Sequence, residues 1–131
     1  NSSCKVYAVE PEETQLMSKS LAADQPESIK QANTIADSLA PPMTTPYCFE
    51  MCKQSIDDIA LVSDGEMAEA ATILLSEMKL GLEPAGAAST AGALGPLKEK
   101  IKNKKVGLIV CGTNIDPDSY INLLKLGMNR K

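Results

Sequence analysis

The sequence predicts an α/β fold, a parallel sheet with helices on both faces, and three observations carry that prediction. Runs of strand length stand at Lys5–Val9, Asp58–Val62 and Val106–Val110. Helical patterns separate them, which implies parallel strands joined by right-handed crossovers. The last run, Val106-Gly107-Leu108-Ile109-Val110, is continuously apolar, as suits a strand covered on both faces; a solvated edge would alternate.

With 131 residues the chain is sized for one domain with its own core. Hydrophobic residues make up 44% and charged residues 23%, the balance of a soluble globular protein. No apolar run approaches membrane-spanning length. A net charge of −4 and an aromatic content of 3% supply neither the basic face nor the stacking platforms of a nucleic-acid surface. The expected partner is a small molecule or another protein.

The four cysteines, Cys4, Cys48, Cys52 and Cys111, form no CxxC pair and read as reduced thiols of a cytoplasmic protein. Cys48 and Cys52 share one helix face at i, i+4, but with no histidine in the chain a zinc site would have to be all-thiolate and acidic. No zinc site is expected there. Asn1-Ser2-Ser3 matches a glycosylation sequon with no signal peptide beside it. The chain enters its first strand with no lead-in element and reads as a fragment of a longer protein.

Taken in order, Lys5–Val9 is a short β-rich run ended by Glu10-Pro11, and Glu12-Glu13 suits the first turn of a helix that carries Leu16, Met17 and Leu21. That helix fades near Asp24-Gln25-Pro26. Ile29 to Leu39 allows a helical turn or a loop and is read as mostly loop. Pro46 opens a short helix through Gln54, with Tyr47, Phe49 and Met51 as its bulky members. After the strand Asp58–Val62, Ser63 and Glu66 have the spacing of a capping box. The helix that follows repeats apolar residues at Met67, Ala70, Ala71, Leu74, Leu75 and Met78, the stripe of a helix packed on one side.

Leu80–Pro84 interrupts that pattern. Ala85 to Leu97 is dense in alanine and glycine, predicting a helix that approaches a neighbour or a ligand closely. Lys98–Lys105 holds five lysines and one glutamate and reads as a solvated helix end and turn. Beyond the run Val106–Val110 come the small and polar residues Cys111 to Asn114, then Asp116-Pro117 as N-cap and first helical position. The final helix, Pro117 to about Leu126, is expected to turn Tyr120, Ile121, Leu124 and Leu123 inward and to stop at Gly127. Ligands of open parallel sheets bind beyond the carboxyl ends of strands, so Cys111–Asn114 stand where a site is expected.

The residue types limit the chemistry. Without histidine no Ser-His-Asp or Cys-His system can be assembled within the chain, and there is neither a P-loop nor a GxGxxG motif. Asp57-Asp58 and Glu12-Glu13 are adjacent pairs and read as structural or solvated. Cys111 is either a small buried hydrophobe or part of a site.

Four segments together resemble one family: Val6-Tyr7-Ala8-Val9-Glu10-Pro11-Glu12, Thr34-Ile35-Ala36-Asp37-Ser38, Met78 to Ala88 with its EPAGAA core, and Ile109-Val110-Cys111-Gly112-Thr113-Asn114-Ile115-Asp116. They are similar to the C-terminal part of threonine/serine dehydratases, pyridoxal-phosphate enzymes of fold type II to which serine racemases also belong. The resemblance implies that residues 1–131 are the C-terminal portion of the large, cofactor-binding domain. It implies that Cys111 lies against the pyridine nitrogen of pyridoxal phosphate, that Gly112 and Asn114 shape the turn beneath the ring, and that Glu83 stands near the ring. Ser38 falls where many members have glycine, at a loop near the cofactor's phenolic oxygen. Thr113 stands where the family often has a second glycine. Glu10 matches the first carboxylate of a cation site found in some members, but the second acid is replaced by Leu16, so no metal is expected.

The family's Schiff-base lysine, substrate-carboxylate loop and phosphate cradle lie upstream of the matching region, so no catalytic residue is assigned in this chain. The implied function is that of part of a cytoplasmic, homo-oligomeric lyase that removes the hydroxyl of L-threonine or L-serine to give a 2-oxo acid and ammonia, inactive as this chain alone. A racemase-type parent is an alternative, and so is a non-catalytic binding module that kept the fold. A nucleotide-binding domain lacks any phosphate motif.

Overall fold

The computed structural model describes residues 3–130, so Asn1 and Ser2 of the sequon lie outside the described residues. Two strands, β1 (Tyr7–Pro11) and β2 (Asp58–Val62), pair in parallel with Tyr7 opposite Asp58 and Pro11 opposite Val62. The fold is mixed α/β, a parallel sheet with helices, as the sequence predicts.

β1 runs two residues past the predicted stop, through the proline. The next amide explains it: Glu12 N–H donates to Val62 O at 2.9 Å, so the nitrogen that proline lacks as a donor is not one the ladder uses. The Pro11 carbonyl accepts from Thr14 and Gln15 amides, both at 3.2 Å, and turns the chain. α1 (Leu16–Ala23) therefore starts later than the acidic pair, and no acid lies in its first turn. Its orphan amides are served instead by Glu10, whose carboxylate accepts from Met17 N–H at 2.7 Å and Ser18 N–H at 2.9 Å. The predicted loop holds only a 3₁₀ turn, Asp37–Leu39.

α2 (Pro46–Ser55) is capped by Thr45 and anchored by buried Phe49, while Tyr47 and Met51 point to solvent. α3 (Asp64–Met78) carries the complete capping box: Ser63 Oγ accepts from Glu66 N–H, and the Glu66 carboxylate accepts from Ser63 N–H at 2.8 Å. Met67, Ala70, Ala71 and Leu74 are buried as the stripe requires, although Met78 ends exposed. The small-residue helix is divided into α4 (Pro84–Leu94) and α5 (Lys98–Ile101). The break falls at Gly95-Pro96, where the residue before proline is driven from helical geometry.

α4 packs on both strands and on α3, and α3 packs on its other side against α6 (Pro117–Met128). The core lies between these helices and β2, around Val62, Met67, Ala71, Ala87 and Leu123. In α6, Leu123 is buried and Tyr120 and Leu124 are half-buried, but Ile121 faces solvent, contrary to the expectation. Gly127 does not stop this helix; it lets it press on α3, since a Cβ there would stand 2.3 Å from the Ala68 carbonyl oxygen.

The largest departure is Val106–Val110. The run has no ladder partner among the described residues and is not a strand; Ile109 is 80% exposed. Its composition encodes a preference for burial, whereas a strand also needs a neighbour's amides and carbonyls, and neither β1 nor β2 extends them to it. Its tie to the fold is sideways, through Ser89 Oγ, which donates to Ile109 O at 2.6 Å. No helix among the described residues is long and apolar enough to cross a membrane.

Candidate functional site

The start of α4 gathers four of the five predicted site residues. Glu83 is its N-cap position, and its N–H donates to Gly112 O at 3.1 Å, which joins the EPAGAA segment to the CGTN turn. Gly112 has φ +81°, and a Cβ there would stand 2.4 Å from Glu83 Oε1, so the carboxylate rests on bare backbone. One turn into α4, a Cβ on Gly86 would stand 1.6 Å from the Cys111 carbonyl oxygen. The 111–112 backbone lies on this helix because both contact positions lack side chains.

Ser38 approaches from the other side. Its hydroxyl lies 3.5 Å from Glu83 Oε1, at the limit of a hydrogen bond, and 3.4 Å from Asp37 Oδ1. The loop that carries it is pinned to the first residue of α3: Asp64 accepts from Thr34 Oγ1 at 2.5 Å and from Ile35 N–H at 3.0 Å. Thus the capped end of α3 sets the position of Ser38. Thr113 is accommodated without left-handed backbone, and its carbonyl accepts from Ile115 N–H at 2.9 Å.

A cleft of about 480 Å³ opens beside this junction, with Glu83 and Asn114 in its wall together with Asp37, Asp116, Ile115 and Leu123. Asn114 thus meets Glu83 across a cavity; Ser38, Cys111 and Gly112 do not line it. Hydrogen bonds from the Ser119 side chain and amide hold the Asp116 carboxyl below its ordinary range, so that wall keeps its charge. The Cys111 thiol is free and exposed at the edge of the turn. Glu10, the matched metal carboxylate, is committed to the amides of α1 and to Ser18 Oγ at 2.7 Å, and Leu16 beside it is buried.

Three residues that hold the site were not picked out from sequence: Gly86, Ser89 and Asp64. The density of small residues in Ala85–Leu97 signalled a close approach. It gave no sign that the partner would be the Cys111 carbonyl. The junction brings a cysteine, bare backbone and a carboxylate together at the first turn of α4, groups that can donate and accept hydrogen bonds.

Residues 1–112 match the family described as pyridoxal-phosphate dependent enzyme. The phenylserine dehydratase of Ralstonia pickettii is 39% identical over 95% of this chain and 38% of its own length. The serine racemase of Schizosaccharomyces pombe is 36% identical over 92% of the chain and 37% of its own length. The structure of the processed form of threonine deaminase isoform 2 from Solanum lycopersicum superposes with a TM-score of 0.89 at 28% identity, over 95% of this chain and 35% of that one. The chain therefore spans well under half the length of these relatives.

Proposed function

The chain belongs to the pyridoxal-phosphate dependent enzyme family, and from that premise we propose that it is the C-terminal part of the cofactor domain of an ammonia-lyase acting on L-threonine or L-serine. The products are a 2-oxo acid and ammonia. The observation that carries this reading is the junction of Glu83, Gly112 and Cys111 on the first turn of α4, supported by likeness to a dehydratase and a threonine deaminase.

Pyridoxal phosphate, when bound, supplies an electron sink for the pair left at the substrate α-carbon. Cys111 would meet the ring nitrogen with a weak hydrogen-bonding group in place of a carboxylate, which would leave that nitrogen short of full protonation. Glu83, seated on Gly112 and approached by Ser38, would fix the ring's lateral position, and Asn114 would hold the turn beneath it. Such a tempered sink suits β-elimination, where negative charge at the α-carbon is brief. The reactive lysine and the phosphate cradle belong to sequence outside this chain, so the chain alone is inactive; a cytoplasmic homo-oligomer is the proposed setting of the whole enzyme.

The test is an absorbance titration with pyridoxal phosphate, followed by assay of 2-oxobutanoate from L-threonine. The chain alone gives neither signal, and turnover appears when the N-terminal portion of a relative is co-expressed with it. Turnover by the chain alone overturns this reading. The similarity to a serine racemase supports a second reading, decided by feeding L-serine to the completed enzyme: D-serine in excess of pyruvate selects the racemase.

A further inference from the structure

A second feature stands apart from this junction, on α2. Cys48, Met51 and Cys52 occupy positions i, i+3 and i+4 of that ten-residue helix, which places three sulfur donors on one stripe of its surface. Buried Phe49 anchors the neighbouring face, so the stripe stays outside the core: Cys48 is exposed, Met51 is 46% exposed and Cys52 is half-buried. We propose that Cys48, Met51 and Cys52 form a binding site for a soft monovalent metal ion, the cuprous ion in particular.

Geometry selects metal binding over a disulfide. Side chains at i and i+4 have Cβ atoms about 5–6 Å apart, whereas a disulfide needs Cβ atoms about 3.5–4.5 Å apart. Closing a disulfide would require α2 to open. A metal held between two thiolates at about 2.3 Å each bridges sulfurs up to about 4.6 Å apart, a span that side chains on neighbouring turns of one helix can reach without opening it. Donor chemistry selects the ion. Zinc takes four ligands, but the chain has no histidine, and no group of three or more His, Cys, Asp or Glu residues among the described residues could hold a metal. Two thiolates and a thioether instead match the low coordination number and softness of cuprous copper. On binding, both thiol protons leave to solvent, each sulfur keeps its electron pair, and no electron is exchanged.

The experiment uses the full chain carrying Cys4→Ser and Cys111→Ser, with cuprous ion delivered anaerobically in competition with bicinchoninate. One ion per chain is expected, with both remaining thiols shielded from Ellman's reagent. Adding Cys52→Ser with Lys53→Cys keeps two thiols but moves the second off the stripe; affinity should fall about 100-fold or more with the loss of chelation. Met51→Leu should weaken binding by less. Equal affinity in the shifted variant overturns the proposal, as does copper binding that survives Cys48→Ser in a chain whose circular dichroism shows the helices intact.

Discussion

Two parts of this chain share a sequence pattern, an apolar run followed by a capped helix, and differ in structure. In one, Asp58–Val62 pairs with β1 and passes into α3 through the Ser63 and Glu66 capping box. In the other, Val106–Val110 has no ladder partner among the described residues, yet α6 beyond it is capped by Asp116, which accepts from the amides of Asp118 at 3.1 Å and Ser119 at 3.0 Å. The helix start is local and forms in both places. A strand is a relation between two segments, and only the first run has its second segment here.

The strongest way to break the comparison is a single methyl group. Gly86→Ala puts a Cβ where the Cys111 carbonyl oxygen lies, and neither backbone can yield without lifting residues 109–114 from α4. We expect a loss of roughly 3 kcal/mol, the upper range of overpacking, read from the urea midpoint. Gly65→Ala, in the paired junction, meets only the flexible end of Arg130 and should stay within about 0.5 kcal/mol. Equal effects would show that the open segment does not depend on the glycine contact.

The same distinction separates what could be read from the sequence. The Ser63 box, the Asp116 cap and the starts of α2 at Pro46 and α6 at Pro117 were legible because each depends on residues a few positions apart. The end of β1 was not, because it turns on which nitrogen the ladder spares at Pro11. The break at Gly95-Pro96 was in plain view but lay inside a run of good helix formers. Gly127 illustrates the limit: as a punctuation mark it reads as a stop, and only the approach of α6 to Ala68 reveals it as a packing position. For the site, Glu83, Gly112 and Asn114 came from family resemblance, whereas Gly86 and Asp64 act through partners distant in sequence.

Removing the caps should give a smaller and more even effect. Ser63→Ala leaves an amide of α3 unserved and removes the acceptor of Arg130 Nη1 at 2.9 Å, for a loss of about 1 kcal/mol. Asp116→Ala should lower the urea midpoint in the same direction but by less, because that carboxylate stands in water; Asp116→Asn should restore most of it. A larger effect at Asp116 than at Ser63 would mean that α6 holds the open region in place.

Acid should reach the paired junction through Glu66. Burial alone would raise its carboxyl, but hydrogen bonds from the Ser63 amide and hydroxyl, with the charge of Arg130, outweigh burial and hold it below its ordinary value. A folded-state pKa below the unfolded one contributes stability that is full above the unfolded value, about 4.3, and is lost as pH falls through the folded value. The urea midpoint should therefore fall as pH drops below about 4.3, and Glu66→Gln should flatten that part of the profile. An unchanged acid slope in the variant would assign the loss to other carboxylates.

The smallest expected change in stability is at Ile109, and it isolates what the unpaired run lacks. The residue is 80% exposed, with Val106 and Leu108 exposed beside it, so Ile109→Lys removes no buried contact and should leave the unfolding free energy of the monomer unchanged within about 0.5 kcal/mol. An apolar, unladdered segment invites pairing between chains, and a lysine there opposes it. We expect the native chain to self-associate as concentration rises in size-exclusion chromatography, and the variant to elute as a monomer. If the variant instead unfolds, Ile109 has packing that its exposure does not express. If the native chain is monomeric throughout, then the run is held by its Ser89 tether and needs no second strand, and the contrast with Asp58–Val62 narrows to hydrogen bonding alone.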